Sequence, residues 1–396
     1  MIKRIKNNKS LLFLCFLGMF GFAVGLFANY RELWLSANGI GPASIGRVIS
    51  LASIITVLVF TFFSLKYPYH KLKTGLSITL LLKMITSTML ICLNNKGFVM
   101  PIKFIIFFDI AFEEIIFGSL YPLIMQINKS DLIYTKKNVV ESVSSKFGFL
   151  LASFLLSKTI GSFAINYNSC LLMSVICIFL AFILFLNISE IDSKNDNNDI
   201  NLKDFFDYLK DNKILLFFLV VNAFGSMVWA SIVGMRLLSL TKIMGVNTKL
   251  ASYLVLGLGI ISNALAIIIV KYFKLKNDYI NLFIKYGARV ILYLLIFILN
   301  TKRMLFITFI YLLLLDIPYG FIFSSYFVNR IKEEYSMVFA TIKYCFELIG
   351  TSIGIYICGL TFNMSIKYIG LITFILASIH YIMANILVSK KNMLKG

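Results

Sequence analysis

Charge is what this sequence has little of. Only 14% of its 396 residues are Asp, Glu, Lys or Arg, where a water-soluble chain carries about 25%. Beside 59% hydrophobic residues, that shortfall excludes an ordinary soluble enzyme, a disordered tail and a fibrous protein. Short segments of alternating polarity are missing as well, which excludes an outer-membrane barrel. Histidine is nearly absent: His70 and His380 stand alone, and no H-E-x-x-H, P-loop or phosphate-cradling glycine run occurs. A membrane-embedded transferase or an ATP-driven pump would need such groups. Cys15, Cys92, Cys170, Cys177, Cys345 and Cys358 lie in apolar runs with no C-x-x-C pair. They read as small packing residues, not as a disulfide framework or a zinc site.

What the chain does have is long apolar runs. A helix needs about 20 apolar residues to cross the hydrocarbon core, and only helices or closed barrels cross, because no water is there to satisfy the backbone. Twelve runs qualify: 10–30, 44–65, 73–93, 100–126, 139–161, 166–187, 214–236, 250–271, 279–299, 303–329, 337–360 and 366–389. Residues 2–9 are basic, but the run that follows is too long for a signal peptide and lacks a small-x-small cleavage site, so it reads as the first span. The net charge of +20 forms no basic stripe interleaved with stacking aromatics, which argues against nucleic acid as a partner. Lys and Arg instead crowd the N-terminus, the even-numbered connections and the C-terminus. Examples are Lys66, Lys71 and Lys73 after span 2, Lys129, Lys136 and Lys137 after span 4, and Lys271, Lys274 and Lys276 after span 8. Positive charge stays inside, so both termini are expected in the cytoplasm, and the chain reads as a multi-pass protein of the cell-membrane lipid bilayer.

One connection differs from the rest. Residues 188–213 hold seven of the 18 acidic residues. Their second part sets Leu202, Phe205, Phe206 and Leu209 at i, i+3, i+4 and i+7, an amphipathic helix suited to the inner leaflet. It divides the chain into six spans before, 1–187, and six after, 214–396. The halves also echo each other. RELWLSANGIG from Arg31 aligns with RLLSLTKIMGV from Arg236, which sets Gly39 against Gly245 one gap later. DIAF at Asp109 in span 4 aligns with DIPY at Asp316 in span 10, and KFGF at Lys146 in span 5 with KYCF at Lys343 in span 11. Ionised residues inside spans each cost roughly 2.5–3.5 kcal/mol at the centre, so their coincidence marks a duplication.

Twelve spans in two six-span repeats, with a polar central loop and both ends inside, resemble the major facilitator superfamily of secondary transporters. The resemblance implies two six-helix bundles related by an axis along the membrane normal, with substrate near the midplane between them. It further implies that spans 1, 4, 7 and 10 line the cavity, that 2, 5, 8 and 11 form the interface, and that 3, 6, 9 and 12 support them. Two family signatures are altered. The loop after span 2, SLKYPYHKLKTG, is basic but lacks the aspartate, and span 5, GFLLASFLLSKTIG, lacks the proline of drug/proton antiporters, which argues against multidrug antiport.

The candidate machinery is the set of ionisable residues within spans. Asp109 and Glu113 in span 4 share a helical face, with Glu114 about 100° round. They form either a proton- or cation-coupling site or an ion-pair network with Lys146 of span 5. Asp109 is the first choice for the coupling carboxyl and Glu113 the second. Asp316, followed by Pro318 and Gly320, marks a kinked binding or gating element in span 10. Lys343 and Glu347 are spaced to pair with each other. Arg31 and Arg236 stand at the outer ends of spans 1 and 7, where they either recruit an anionic substrate or snorkel to headgroups. Asn222, Ser226 and Trp229 share a face of span 7 and are candidates for substrate contact. The expected function is proton-driven secondary transport of a small-molecule solute by alternating access, in a monomer without cofactor or bound metal. The alternatives are a transporter-like lipid flippase or scramblase, a membrane sensor, or a membrane-embedded transferase.

Overall fold

Uninterrupted leucine, isoleucine and phenylalanine runs become long helices. The computed structural model describes residues 9–66, 69–94, 96–127, 131–157, 163–188, 202–272, 278–328, 331–332 and 335–393, and for some helical residues the backbone alone. In the first half the helices are α1 (Lys9–Phe27), α2 (Arg31–Ala37), α3 (Pro42–Lys66), α4 (Tyr69–Leu93), α5 (Val99–Ile127), α6 (Asp131–Ser157) and α7 (Phe163–Leu186). After them come α8 (Leu202–Asp211), α9 (Lys213–Val233), α10 (Arg236–Leu238), α11 (Thr248–Tyr272), α12 (Asp278–Leu282), α13 (Ala288–Leu299), α14 (Lys302–Val328), α15 (Ser336–Thr361) and α16 (Ile366–Met393).

Helices lie at all twelve positions read as spans. Among the described residues, nine helical segments are long and apolar enough to cross a membrane. The helices at expected spans 4, 5 and 10 are α5, α6 and α14, and α5 carries Lys103, Asp109, Glu113 and Glu114, more charge than lipid tolerates. Spans 1 and 7 are longer than the sequence suggested. Each runs past its arginine, to Ala37 and to Ile243 respectively, through a tight turn at Ala28–Tyr30 and a widened one at Ser239–Ile243. Each then ends near a glycine in the left-handed region, Gly39 at φ 79° and Gly245 at φ 74°. These are the two glycines that the repeat aligns.

Two compact units result: Met1–Gly41 with Leu51–Asp199, and Pro42–Ser50 with Ile200–Gly396. Their internal packing repeats. In the first, α1 packs on α6 and α7, and α4 on α7; in the second, α9 packs on α15 and α16, and α13 on α16. Glycines allow the closest of these contacts. A Cβ at Gly25 would collide with the Ser145 carbonyl of α6, and one at Gly350 with the Ala223 carbonyl of α9. Beside the first contact, Phe16 meets Phe185 at 5.0 Å and Phe20 meets Phe117 at 5.2 Å between ring centroids.

The amphipathic helix forms as α8, but not as a simple leaflet-facing stripe. Phe205 and Leu209 are buried, with Phe205 and Tyr208 against Tyr335 at 5.6 and 4.9 Å, while Phe206 is exposed. Part of its apolar face therefore packs inside the second unit. The polar stretch 189–201 lies outside the described residues.

Gly25→Ala and Gly350→Ala should each destabilise the protein by about 1–3 kcal/mol through overpacking. Gly75→Ala, which faces open space on α4, should be neutral or stabilising by up to about 1 kcal/mol. Thermal unfolding of the detergent-solubilised variants checks the contrast.

Candidate functional site

The site begins at the tight turn between α1 and α2. Tyr30 donates to Ser153 Oγ (2.7 Å) and its carbonyl accepts from Tyr167 (3.1 Å). Trp34 donates its indole N–H to Asn94 Oδ1 (2.9 Å), and Asn94 in turn donates to Asn168 (2.8 Å). These anchors, all buried or nearly so, hold the start of α2 inside the unit and carry Arg31 inward with it. Arg31 is 7% exposed, its guanidinium 5.7 Å from the centre of the Phe27 ring.

Arg31 meets a carboxylate there. Its Nη2 donates to Glu113 Oε2 at 2.7 Å and lies 3.9 Å from Asp109 Oδ2. Lys83, in the middle of α4, supplies the second cation. Its three N–H groups go to Asp109 Oδ2 (2.6 Å), Glu113 Oε2 (2.8 Å) and the Asp109 carbonyl (3.1 Å), which is all an ammonium has to give. Thr86 and Ser87 donate to Asp109 Oδ1 at 3.1 and 2.7 Å. Asp109 is thus fully buried with both oxygens occupied. Glu113 is not: both cations share its Oε2, and among the described residues its Oε1 accepts no hydrogen bond. Two cations and two carboxylates sum to zero charge, which is what a desolvated site requires. Glu114, partly buried one position on, lies close enough for its charge to act on Arg31.

The second unit holds a smaller polar group. Glu347 Oε1 accepts from Lys343 (2.8 Å) and from Asn222 Nδ2 (2.6 Å), which ties α9 to α15. Along the same face of α9, Ser226 and Trp229 are partly buried. The Trp229 indole N–H has no hydrogen-bond partner among the described residues, and the Arg236 guanidinium lies 5.9 Å from a Trp229 ring centre. Farther back, His380 is buried with Nε2 3.1 Å from the Val221 carbonyl and its ring 4.3 Å from that of Tyr286. It fits because position 225 is glycine: a Cβ there would meet the imidazole at 2.8 Å. Arg289 is buried too, 5.5 Å from the Tyr286 ring.

Whole-chain comparison with solved structures finds the same fold. The nucleoside transporter NupG is similar at 14% identity, covering 97% of this chain and 98% of that one with a TM-score of 0.65. A D-xylose–proton symporter is 12% identical over 98% and 97%, with a TM-score of 0.66. The E. coli fucose:proton symporter FucP is 11% identical over 96% and 99%, with a TM-score of 0.60. The chain has the major facilitator fold. No family model matches its sequence, and no curated protein does either.

Within the fold, the sequence-derived residues divide clearly. Asp109, Glu113 and Arg31 meet, and Arg31 is a buried partner of Glu113. Lys146 is partly buried on α6 and is not one of the two cations on Asp109 and Glu113; that place belongs to Lys83, nearer on the packed neighbour α4. Lys343, Glu347 and Asn222 form one cluster. Asp316, Pro318 and Gly320 fall in α14, and their side chains lie outside the described residues. Lys83 and Arg289 were missed, although a cation in mid-span is as costly as an acid and was open to the same reasoning.

Removing one partner of a buried ion pair costs about 3–5 kcal/mol, whereas replacing both with apolar groups is often nearly neutral. Lys83→Ala should therefore destabilise by about 3–5 kcal/mol, and Lys83→Met with Asp109→Leu should recover most of that loss. Melting curves of the single and double variants in detergent test the coupling.

Proposed function

We propose that this protein is a secondary active transporter of a small-molecule solute, driven by protons and working by alternating access. The observation that carries the reading is Glu113, a carboxylate buried at mid-span with one oxygen shared by Arg31 and Lys83 and the other unbonded among the described residues. A purely structural ion pair is expected to occupy both oxygens, as Asp109 does. A carboxylate with a spare oxygen accepts a proton without first breaking its existing bonds. On that ground the coupling role moves from Asp109 to Glu113, and Asp109 with Lys83 becomes the fixed half of the network.

The fold supports transport, since the similar structures named above are a nucleoside transporter and two sugar–proton symporters. Carriage across the cell membrane with both termini in the cytoplasm accords with the basic residues of the even-numbered connections. In the second unit, Asn222, Ser226 and Trp229 offer hydrogen bonds and a stacking ring, and we assign them to solute contact.

Purified protein in proteoliposomes, screened with labelled solutes with and without an inward proton gradient, tests the reading. The wild type should accumulate its solute at least tenfold more with the gradient. Glu113→Gln should lose that accumulation while retaining solute exchange across the membrane. Gradient-driven accumulation at the wild-type level in Glu113→Gln would show that the coupling carboxyl is elsewhere.

A further inference from the structure

The Arg31 guanidinium is only partly used. It carries five N–H groups, and among the described residues its side-chain bonds all run from Nη2, to Glu113. Its Nε is enclosed with no acceptor among the described residues, in a residue 7% exposed. A buried donor left empty costs about 1–3 kcal/mol, and a planar guanidinium is made to hold a planar oxyanion through two parallel bonds. Phe27 beneath it and the hydrogen-bonded anchors at Tyr30 and Trp34 fix its place. The group it now holds, Glu113, is itself a carboxylate.

We propose that Arg31 receives a carboxylate group of the transported solute, and that Glu113 is the group which that carboxylate displaces. This rests on the transporter reading and adds the substrate class and the stoichiometry. The charges facing Glu113 are Arg31 from α2, Lys83 from α4 and Asp109 from its own helix, with Glu114 acting on Arg31 from the adjacent position. Arg31, Lys83, Asp109 and Glu113 sum to zero. A bound monocarboxylate adds one negative charge to a desolvated site, and one proton on Glu113 restores neutrality. The exchange balances: Glu113 gains a proton and gives up Arg31, the solute carboxylate takes Arg31, and Lys83 stays on Asp109. A monocarboxylate replaces Glu113 like for like, whereas a dianionic phosphate would leave a charge uncompensated. The cycle carries one proton per carboxylate and no net charge.

The test uses proteoliposomes of the full chain and 14C-labelled lactate, pyruvate and benzoate, with xylose and uridine as neutral solutes. At least one carboxylate should accumulate at least tenfold under an inward proton gradient, with one proton taken up per carboxylate, whatever the clamped membrane potential. In Glu113→Gln, carboxylate uptake should lose its pH dependence and instead respond to membrane potential, carrying one negative charge. Arg31→Gln should reduce carboxylate uptake at least tenfold. Arg31→Gln with Glu113→Gln keeps the Lys83–Asp109 pair and a neutral site, so it should fold and still fail to take up carboxylate. Uptake of xylose or uridine without any carboxylate would overturn the proposal and leave the transporter reading standing. Wild-type carboxylate uptake in the double variant would overturn it as well. Movement of none of the five solutes by folded wild-type protein would overturn the carboxylate proposal, while the wider solute screen would still decide the transporter reading.

Discussion

One oxygen atom organises the first unit. Glu113 Oε2 accepts from both Arg31 and Lys83, at 2.7 and 2.8 Å, and so joins α2, α4 and α5. Charges in hydrocarbon must be paired or they unfold the helix that carries them. Once α5 places Asp109 and Glu113 one turn apart, α4 has to bring a cation alongside and α2 has to turn inward with another. The tight turn at Ala28–Tyr30 and the hydrogen bonds of Tyr30 and Trp34 are the means by which that happens.

The network is unequal in its two halves, and the inequality suggests division of labour. Asp109 has a donor on every side and is held as firmly as a buried carboxylate can be. Glu113 has both of its cations on one oxygen, and Arg31 has N–H groups beyond the bond it makes. The exchangeable contacts therefore collect on the Arg31–Glu113 side, while Lys83–Asp109 keeps the helices together. In the second unit Lys343, Glu347 and Asn222 join α9 to α15 by a similar charge-assisted bond, beside a closest approach that Gly350 permits.

Much of this was legible in the residues because membranes simplify the physics. Apolar length gave the helix positions, basic loops gave an expected orientation, and the repeat that sets Gly39 against Gly245 falls on two residues that share a positive φ. The i, i+4 spacing of Lys343 and Glu347 anticipated their pair. Other features depend on tertiary packing and were not visible. Arginine is costly in lipid, so the sequence predicts an end to span 1 beside Arg31, but Glu113 compensates the charge and the helix continues. Axial distance along the spans points to Lys146 as a partner for span 4, and it gives no hint of Lys83 on the packed neighbour α4, which holds Asp109 and Glu113. Phe205 and Leu209 carry an amphipathic pattern that suits a leaflet and a protein surface equally, and only the position of Tyr335 decides between them.

The central claim is that Glu113 takes up the proton while Asp109 stays ionised. Infrared difference spectra of the reconstituted protein on acidification in the presence of the transported solute read carboxyl protonation directly, as a new carbonyl band. The account predicts that the band disappears in Glu113→Gln and persists in Glu114→Gln. A band that persists in Glu113→Gln and disappears in Glu114→Gln or Asp109→Asn would contradict it.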